Sequence, residues 1–524
     1  MSSAAPAASG TPARAGLVLT ALIFGALVCN INLAVANVAL PDIGRAFGAS
    51  QVMLNVIAVG CTLGLAMSVL YFGAIGDRFG RKQMLTIGLT LTIVASLLSA
   101  FSFSAEMLVA SRLFTGLAAG MAYPTTLALI TALWAPGASR TKAIALWSGV
   151  SAGAASLGPV LSGLLLTVAP WGSVFLIAVP IAAIALVLVL MGVPKGVNES
   201  TEPVDHLGGV LSVLMIGSLV LALSFVAAAS TRSLAYVLFG VALAAGIAFI
   251  IRQRAAASPL YDLSVAKRRL FWVPAVGGMI VFGSLMGAAF IGQQFIQNVL
   301  GLSTALSGLS GLPSAIALVL AAPISAQFIM KFGSRFTMLA GYFFVFAAFI
   351  IMFTWNEHTP FAVVALTYGV VGIGAGLALT PASRSLTSST PVRKVGMASG
   401  TSDLQRDLGG SVMQSILGAI LAAGFSVSFA KQIASSADAG TISKSVTEAL
   451  ESSYASAAKV AEQFPQYSQQ ILSAAKESFL NGANFAYIVG AVAVLIGAAV
   501  VGFFLPSKQG EHDLTEQYAH EDAE

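Results

Sequence analysis

The sequence predicts an all-helical polytopic membrane protein of fourteen spans, grouped six, two and six, with both chain ends on the cytoplasmic side. Three observations lead there. Of 524 residues, 57% are hydrophobic and only 9% charged, against about a quarter charged in a soluble domain. Apolar runs near the roughly 20 residues that a spanning helix needs recur along the chain. Finally, most of the 26 Lys and Arg residues fall in alternate connections, as expected if those connections resist translocation.

A short N-terminal tail, 1–16, precedes the first apolar run. Runs near 17–40, 51–75, 83–103, 107–133, 143–169 and 172–192 make a first six-span half, 17–192. The first run is longer than a signal-peptide core and is expected to stay as a helix. A polar break from Pro194 to His206 opens a linker, 193–269, which carries two further spans near 207–228 and 232–251 and ends in a basic segment at Arg269. The second half, 270–505, holds spans near 271–299, 306–329, 336–355, 361–383, 400–425 and 483–505. Its outer segment 426–481 is rich in Ser and Ala. Val446, Leu450, Tyr454, Ala458 and Ala461 recur there at helical spacing, so one or two amphipathic helices are expected on the outer surface. The acidic cytoplasmic tail, 506–524, reads as disordered.

With the N-terminus inside, the outer segments hold Arg45, Arg232, Lys431, Lys444, Lys459 and Lys476, while Arg112 and Arg406 lie within helices or at their ends. The net charge of +5 is thus spread over the inner membrane face, and no nucleic-acid partner is expected. Cys29 and Cys61 fall inside apolar runs and His206, His358, His512 and His520 in loops or the tail. No catalytic or metal-ligating constellation is visible, so neither an enzyme nor a cofactor is expected.

Function must then rest on glycines, prolines and a few charges. The loop after the second span reads Gly73-Ala-Ile-Gly-Asp-Arg-Phe-Gly-Arg-Lys82. Gly73, Gly76 and Gly80 allow a tight turn and close helix approach. Asp77, with Arg78 and Arg81 beside it, can hold a neighbouring helix N-terminus through its dipole. This loop resembles the signature loop of the major facilitator superfamily. Arg112 with Gly116 and Gly120 resembles the fourth-helix motif of that superfamily, in which an intramembrane arginine is implicated in proton coupling. Gly149, Gly153, Gly158, Pro159 and Gly163 resemble the antiporter motif of its drug-exporting branches. Asn37-Val-Ala-Leu-Pro41, Trp171, Phe175 and Pro180, Asp205, Pro259-Leu-Tyr-Asp-Leu263 and the stretch from Gly396 through Arg406 to Gly410 resemble the fourteen-helix drug:proton antiporter branch. The resemblance implies two six-helix bundles that rock about a central site, and a monomer that exports amphipathic small molecules or drugs in exchange for protons. Asp77, Arg78, Arg81, Arg112, Gly153, Gly158, Pro159 and Arg406 are the implied conformational and coupling residues.

Three departures from the branch stand out. Asn32 occupies the position where an acidic residue is usual, with Ala34 in the slot of the Thr. The second-half counterpart of the signature loop, Met330-Lys-Phe-Gly-Ser-Arg335, has Met330 where Asp77 sits. All acidic residues can also be assigned to loops, tails or helix ends, the nearest to a span interior being Asp42, Asp403 and Asp407. Because a carboxylate inside a bilayer is costly and is kept where a proton or cation needs it, its absence argues against lipophilic dications as preferred cargo. It favours instead a lipid-like amphiphile as the alternative substrate. Asn30, Asn32, Asn37, Tyr123, Phe290, Gln293, Gln294 and Gln297 are expected to line a mostly apolar cavity, because amides in lipid are costly unless they face protein or water.

Overall fold

The computed structural model describes residue 12 and residues 14–135, 138–196, 203–226, 230–390, 395–436 and 442–523. Among them every regular element is a helix, as lipid demands of a chain that must satisfy its own backbone polar groups. Thirteen helical stretches are long and apolar enough to cross a membrane. The predicted fifth span coincides with a further helix, Ala138–Leu165; the surroundings of Gly153 within it lie outside the described residues.

The first half comprises α1 (Ala15–Ala34), α2 (Leu40–Phe47), α3 (Gln51–Phe79), α4 (Arg81–Ala100), α5 (Ala105–Leu133), α6 (Ala138–Leu165), α7 (Ser173–Leu176) and α8 (Ala178–Gly192). Serines start two of its long helices. The Ser50 hydroxyl accepts from the Met53 amide and the Ser104 hydroxyl from the Met107 amide, each at 3.2 Å, satisfying amides that have no partner within the helix. The predicted first span breaks at a short turn, Asn37–Ala39, before α2, where Pro41 needs no amide partner in the opening turn. Side chains are excluded where α3 meets α5: a Cβ on Gly64 would lie 2.9 Å from the Gly116 Cα. Small residues at such a seam bring helix backbones into contact without relying on a hydrophobic driving force.

Two helices, α9 (His206–Phe225) and α10 (Arg232–Ala255), pair beside α3. The start of α9 and the end of α10 are tied by Asp205, which caps α9 through the Gly208 amide at 3.0 Å and accepts from Arg252 Nε at 2.8 Å and Gln253 Nε2 at 3.0 Å. Burial pushes the Asp205 carboxyl up, but the Gly208, Arg252 and Gln253 hydrogen bonds outweigh it and hold the group below the ordinary value. Its stabilising contribution is therefore present above the ordinary carboxylate pKa and is lost as pH falls through the depressed one. Asp205→Ala is expected to destabilise the protein by about 2 kcal/mol at neutral pH. The difference from the unmodified protein should shrink in acid; thermal unfolding in detergent at two pH values checks both parts.

After a single-turn α11 (Leu263–Ala266), the second half contains α12 (Arg269–Asn298), α13 (Thr304–Leu309), α14 (Leu312–Phe332), α15 (Ser334–Phe353), α16 (Phe361–Ser388), α17 (Val395–Ser435), α18 (Lys444–Ser452), α19 (Tyr454–Gln463) and α20 (Ser468–Phe504). Its packing repeats that of the first half. As α3 meets α5 through glycines, α14 meets α16 with a would-be Gly372 Cβ 2.8 Å from the Ser314 Cα. The inner turns also match: α3 joins α4 through Gly80 at φ +121°, and α14 joins α15 through Gly333 at φ +86°.

The amphipathic helices expected within 426–481 are present as α18 (Lys444–Ser452) and α19 (Tyr454–Gln463), whereas the ends of that segment and the tail need correction. Residues 426–435 continue α17 and 468–481 belong to α20, so both helices project beyond their apolar runs. They carry α18 and α19 as an outer cap, secured where the Ser453 hydroxyl donates to the Ala49 carbonyl at 2.9 Å. The acidic tail, read as disordered, forms α21 (Lys508–Ala523). Leu514 and Tyr518, four residues apart on one face, pack onto the second half, and Arg268 holds Asp522 at 2.6 Å and stacks on Tyr518 at 4.6 Å. Composition registers the charge of this segment, whereas its order comes from a partner distant in sequence.

Candidate functional site

The helix α17 carries Asp403, Arg406 and Asp407 at spacings of three and four, hence on one face. The helix begins before the apolar run and packs against α3 and α12, so Asp407 is buried while Asp403 and Arg406 are half-buried. Asp407, 4% exposed, is buried by protein within α17 rather than at the helix end where the sequence reading places it. Arg406 Nη1 donates to the Tyr123 hydroxyl of α5 at 3.3 Å and lies 3.9 Å from Asp403 Oδ1. Its guanidinium stands 5.4 Å above the Phe282 ring of α12. Tyr123 in turn lies 5.7 Å from the Trp147 ring, whose indole N–H donates to Thr126 Oγ1 at 3.0 Å. The cluster thus joins the two halves through a single cation.

Several neighbouring polar atoms have no hydrogen-bond partner: Asp407 Oδ2, both amide atoms of Gln405 and Gln414 Nε2. Leaving a buried polar atom unpaired costs about 1–3 kcal/mol, so such a group is matched to water or a ligand. The Asp-x-x-Arg-Asp spacing was visible in the sequence, but its depth was not, because the apolar run begins only just before it.

A buried cation lies nearer the start of α5. Arg112, fully buried, donates through Nη2 to the Asn32 carbonyl at 2.7 Å and faces Phe175 at 5.5 Å. Its Nε and Nη1 have no partner. The two halves are joined further out by amides and glycines. Gln51 Nε2 donates to Gln294 Oε1 at 3.1 Å, Gln297 Nε2 to the Val38 carbonyl at 2.9 Å, and Thr304 Oγ1 to the Gly163 carbonyl at 3.1 Å. A Cβ on Gly163 would strike the Thr304 carbonyl oxygen, whereas one on Gly158 would meet Ile31 of α1 within the first half. Pro159, inside α6, offers its carbonyl at the closest approach of Gly308. Under the outer cap lies a cavity of about 460 Å³, bordered by Pro41, Arg45, Gln297, Asn298, Tyr454 and Glu462.

The other expected cavity residues are dispersed. Asn30 and Asn32 turn their amides onto their own helix, at Ala26 and Val28. Asn37 Oδ1 and Gln293 Oε1 are buried without partners. Phe290 belongs to an apolar cluster that draws on both halves and Tyr123 to one within the first. At the inner face, Asp77 accepts from Arg81 Nε at 2.9 Å, and Arg81 Nη1 donates to the Ala128 carbonyl at 2.6 Å; Arg78 closes the last turn of α3.

Residues 22–414 match the family model described as Major Facilitator Superfamily. The chain is 31% identical over 497 residues to the multidrug efflux pump LfrA of Mycolicibacterium smegmatis, covering 95% of this chain and 97% of that protein. It is 29% identical over 505 residues to the methyl viologen resistance protein SmvA of Salmonella typhimurium, with 95% and 99% covered. A solved POT family transporter in complex with a thioalcohol-conjugated peptide superposes with a TM-score of 0.63 at 14% identity, covering 92% of this chain and 95% of that one. A bacterial homolog of the human lysosomal transporter Spinster, inward-facing and occupied, gives 0.61 at 16%, with 97% and 98% covered. At such identity these two establish the fold alone.

Proposed function

The chain belongs to the Major Facilitator Superfamily, and on that premise we propose that it exports amphipathic small molecules, drugs among them, in exchange for protons. The protein is a multi-pass cell-membrane transporter rather than an enzyme. In the proposed reading it has fourteen spans, both termini are cytoplasmic, it acts as a monomer, and its two halves rock about the central site by alternating access.

The observation that carries the reading is the ratio of charges beside Tyr123: two carboxylates, the buried Asp407 and the half-buried Asp403, stand beside one guanidinium, Arg406. One cation compensates one anion, and the second carboxylate is expensive in a medium of low dielectric. A proton or a cationic substrate relieves the same charge, so each displaces the other, and mutually exclusive occupancy is what exchange requires. Asp407 carries the proton in this reading, since its Oδ2 has no protein partner. The Gln51–Gln294, Gln297–Val38 and Thr304–Gly163 bonds are then the contacts that break when the site opens outward.

A lipid-like amphiphile is the second reading, favoured by the apolar surroundings of the site. Its main support is the lack of a carboxylate in the middle of a predicted span, and the burial of Asp407 weighs against it. The methyl viologen resistance of the SmvA relative fits a site with surplus negative charge. The test is transport by proteoliposomes of a panel of cationic, neutral and lipid compounds, with and without an imposed pH gradient. Cation movement accelerated by the gradient is expected. Lipid movement indifferent to it would establish the second reading.

A further inference from the structure

The two inner turns are built alike yet differ in one charge. In the first, α3 ends at Phe79, Gly80 turns the chain, and α4 opens with Arg81; in the second, α14 ends at Phe332, Gly333 turns it, and α15 opens with Ser334. Aligned through these glycines, Asp77 corresponds to Met330 and Arg81 to Ser334. The first turn carries its own carboxylate, Asp77, bonded to the residue four places on. At the second, Met330 is 67% exposed and can offer no such bond.

A carboxylate is nevertheless present. Glu511 of α21 accepts from the Ser334 amide at 3.1 Å and from the Ser334 hydroxyl at 2.7 Å. It therefore bonds the residue corresponding to Arg81, and it holds an unsatisfied amide at the positive end of α15. Lys508 binds the same turn, donating to the Met330 carbonyl at 2.6 Å. Gly333 lets it approach, since a Cβ there would lie 2.8 Å from the Lys508 Cβ. The far end of α21 is clasped by Arg268, which also donates to the Ser389 carbonyl at 2.7 Å.

We infer that Glu511 is a positioning residue for transport: the C-terminal helix supplies to the second half the carboxylate that its inner turn lacks at Met330. The first turn holds its acid permanently, four residues from its partner. The second borrows it from a separate sixteen-residue helix, so the second half keeps its inner turn ordered only while α21 is docked.

The transport readout rests on the exporter reading, but a second readout does not: hydrogen exchange in the first turn of α15, measured on the purified full chain. Glu511→Gln preserves length and removes charge. It should speed exchange there by about tenfold, the effect of losing a hydrogen bond to a charged acceptor. It should lower the maximal transport rate by a similar factor while leaving KM unchanged. Rebuilding the first-half pair as Met330→Asp with Ser334→Arg should restore both within about twofold. In that rebuilt background Glu511→Ala should cost nothing, an outcome that decides the matter even if Glu511→Gln alone folds poorly. Unchanged exchange and transport in Glu511→Gln, or sensitivity to Glu511→Ala in the rebuilt chain, overturns the inference. If the unmodified chain moves no compound of the panel, the exporter reading fails, while the exchange data still decide the role of Glu511.

Discussion

Asp407→Asn is expected to abolish transport driven by a pH gradient while sparing exchange of one substrate molecule for another. The substitution keeps the shape of the side chain and removes the surplus charge beside Arg406, leaving Asp403 and Arg406 as a balanced pair. With no titratable carboxyl left at this position to take up and release the proton, gradient-driven flux should fall by about a hundredfold or more. Counterflow, which moves no net proton, should change by less than about tenfold. Both are measured in the same proteoliposomes, with the gradient imposed or absent. Retention of full gradient-driven flux would remove Asp407 as the proton carrier, and equal loss of both modes would mark it as a structural residue.

Gly163→Val should stop the cycle by a different route. Gly163 of α6 meets Thr304 and Gly308 of α13 where the halves close on the outer side; a Cβ there would strike the Thr304 carbonyl oxygen and lie 3.1 Å from the Gly308 Cα. A backbone at that distance cannot yield as a flexible side chain does, and overpacking of this kind costs about 1–3 kcal/mol. In the proposed alternating-access cycle the cost falls on the outer-closed state alone. Populations should therefore shift toward the outer-open state by up to about a hundredfold, and transport should fall with them. A cysteine placed at Gln297, which is engaged with the Val38 carbonyl in the closed state, should become reactive to an impermeant reagent from outside. Gly308→Val, approaching the same contact through the Pro159 carbonyl, should behave alike. Normal transport by either variant would show that the seal opens and closes elsewhere.

These two residues illustrate how far sequence reasoning reaches. Gly163 stands out in the sequence because glycines recur along one helix, and the resemblance to an antiporter motif implies a role. Its partner, Thr304, lies 141 residues away, and nothing local to Gly163 points to it. In the sequence Asp407 reads as a helix-end residue, since the apolar run begins near residue 400 and the first turns of such a run are ordinarily wet. Burial there is decided by α3 and α12, which wrap the polar face of α17. The tail erred in the same direction: its charge was legible, while its order depends on Arg268 and Ser334, both far away in sequence.

By itself the sequence determined that this chain is a bundle of membrane helices, where most of them begin and end, and which loops carry the positive charge. Those properties follow from length, hydropathy and the cost of moving charge across lipid, all of which are local. The tertiary structure alone decided which charges share an interior, which glycines bring the two halves together, and which carboxylate serves the second inner turn. The physical reason is that electrostatic energy in a low-dielectric interior depends on distance in space, and helices hundreds of residues apart in the chain set those distances.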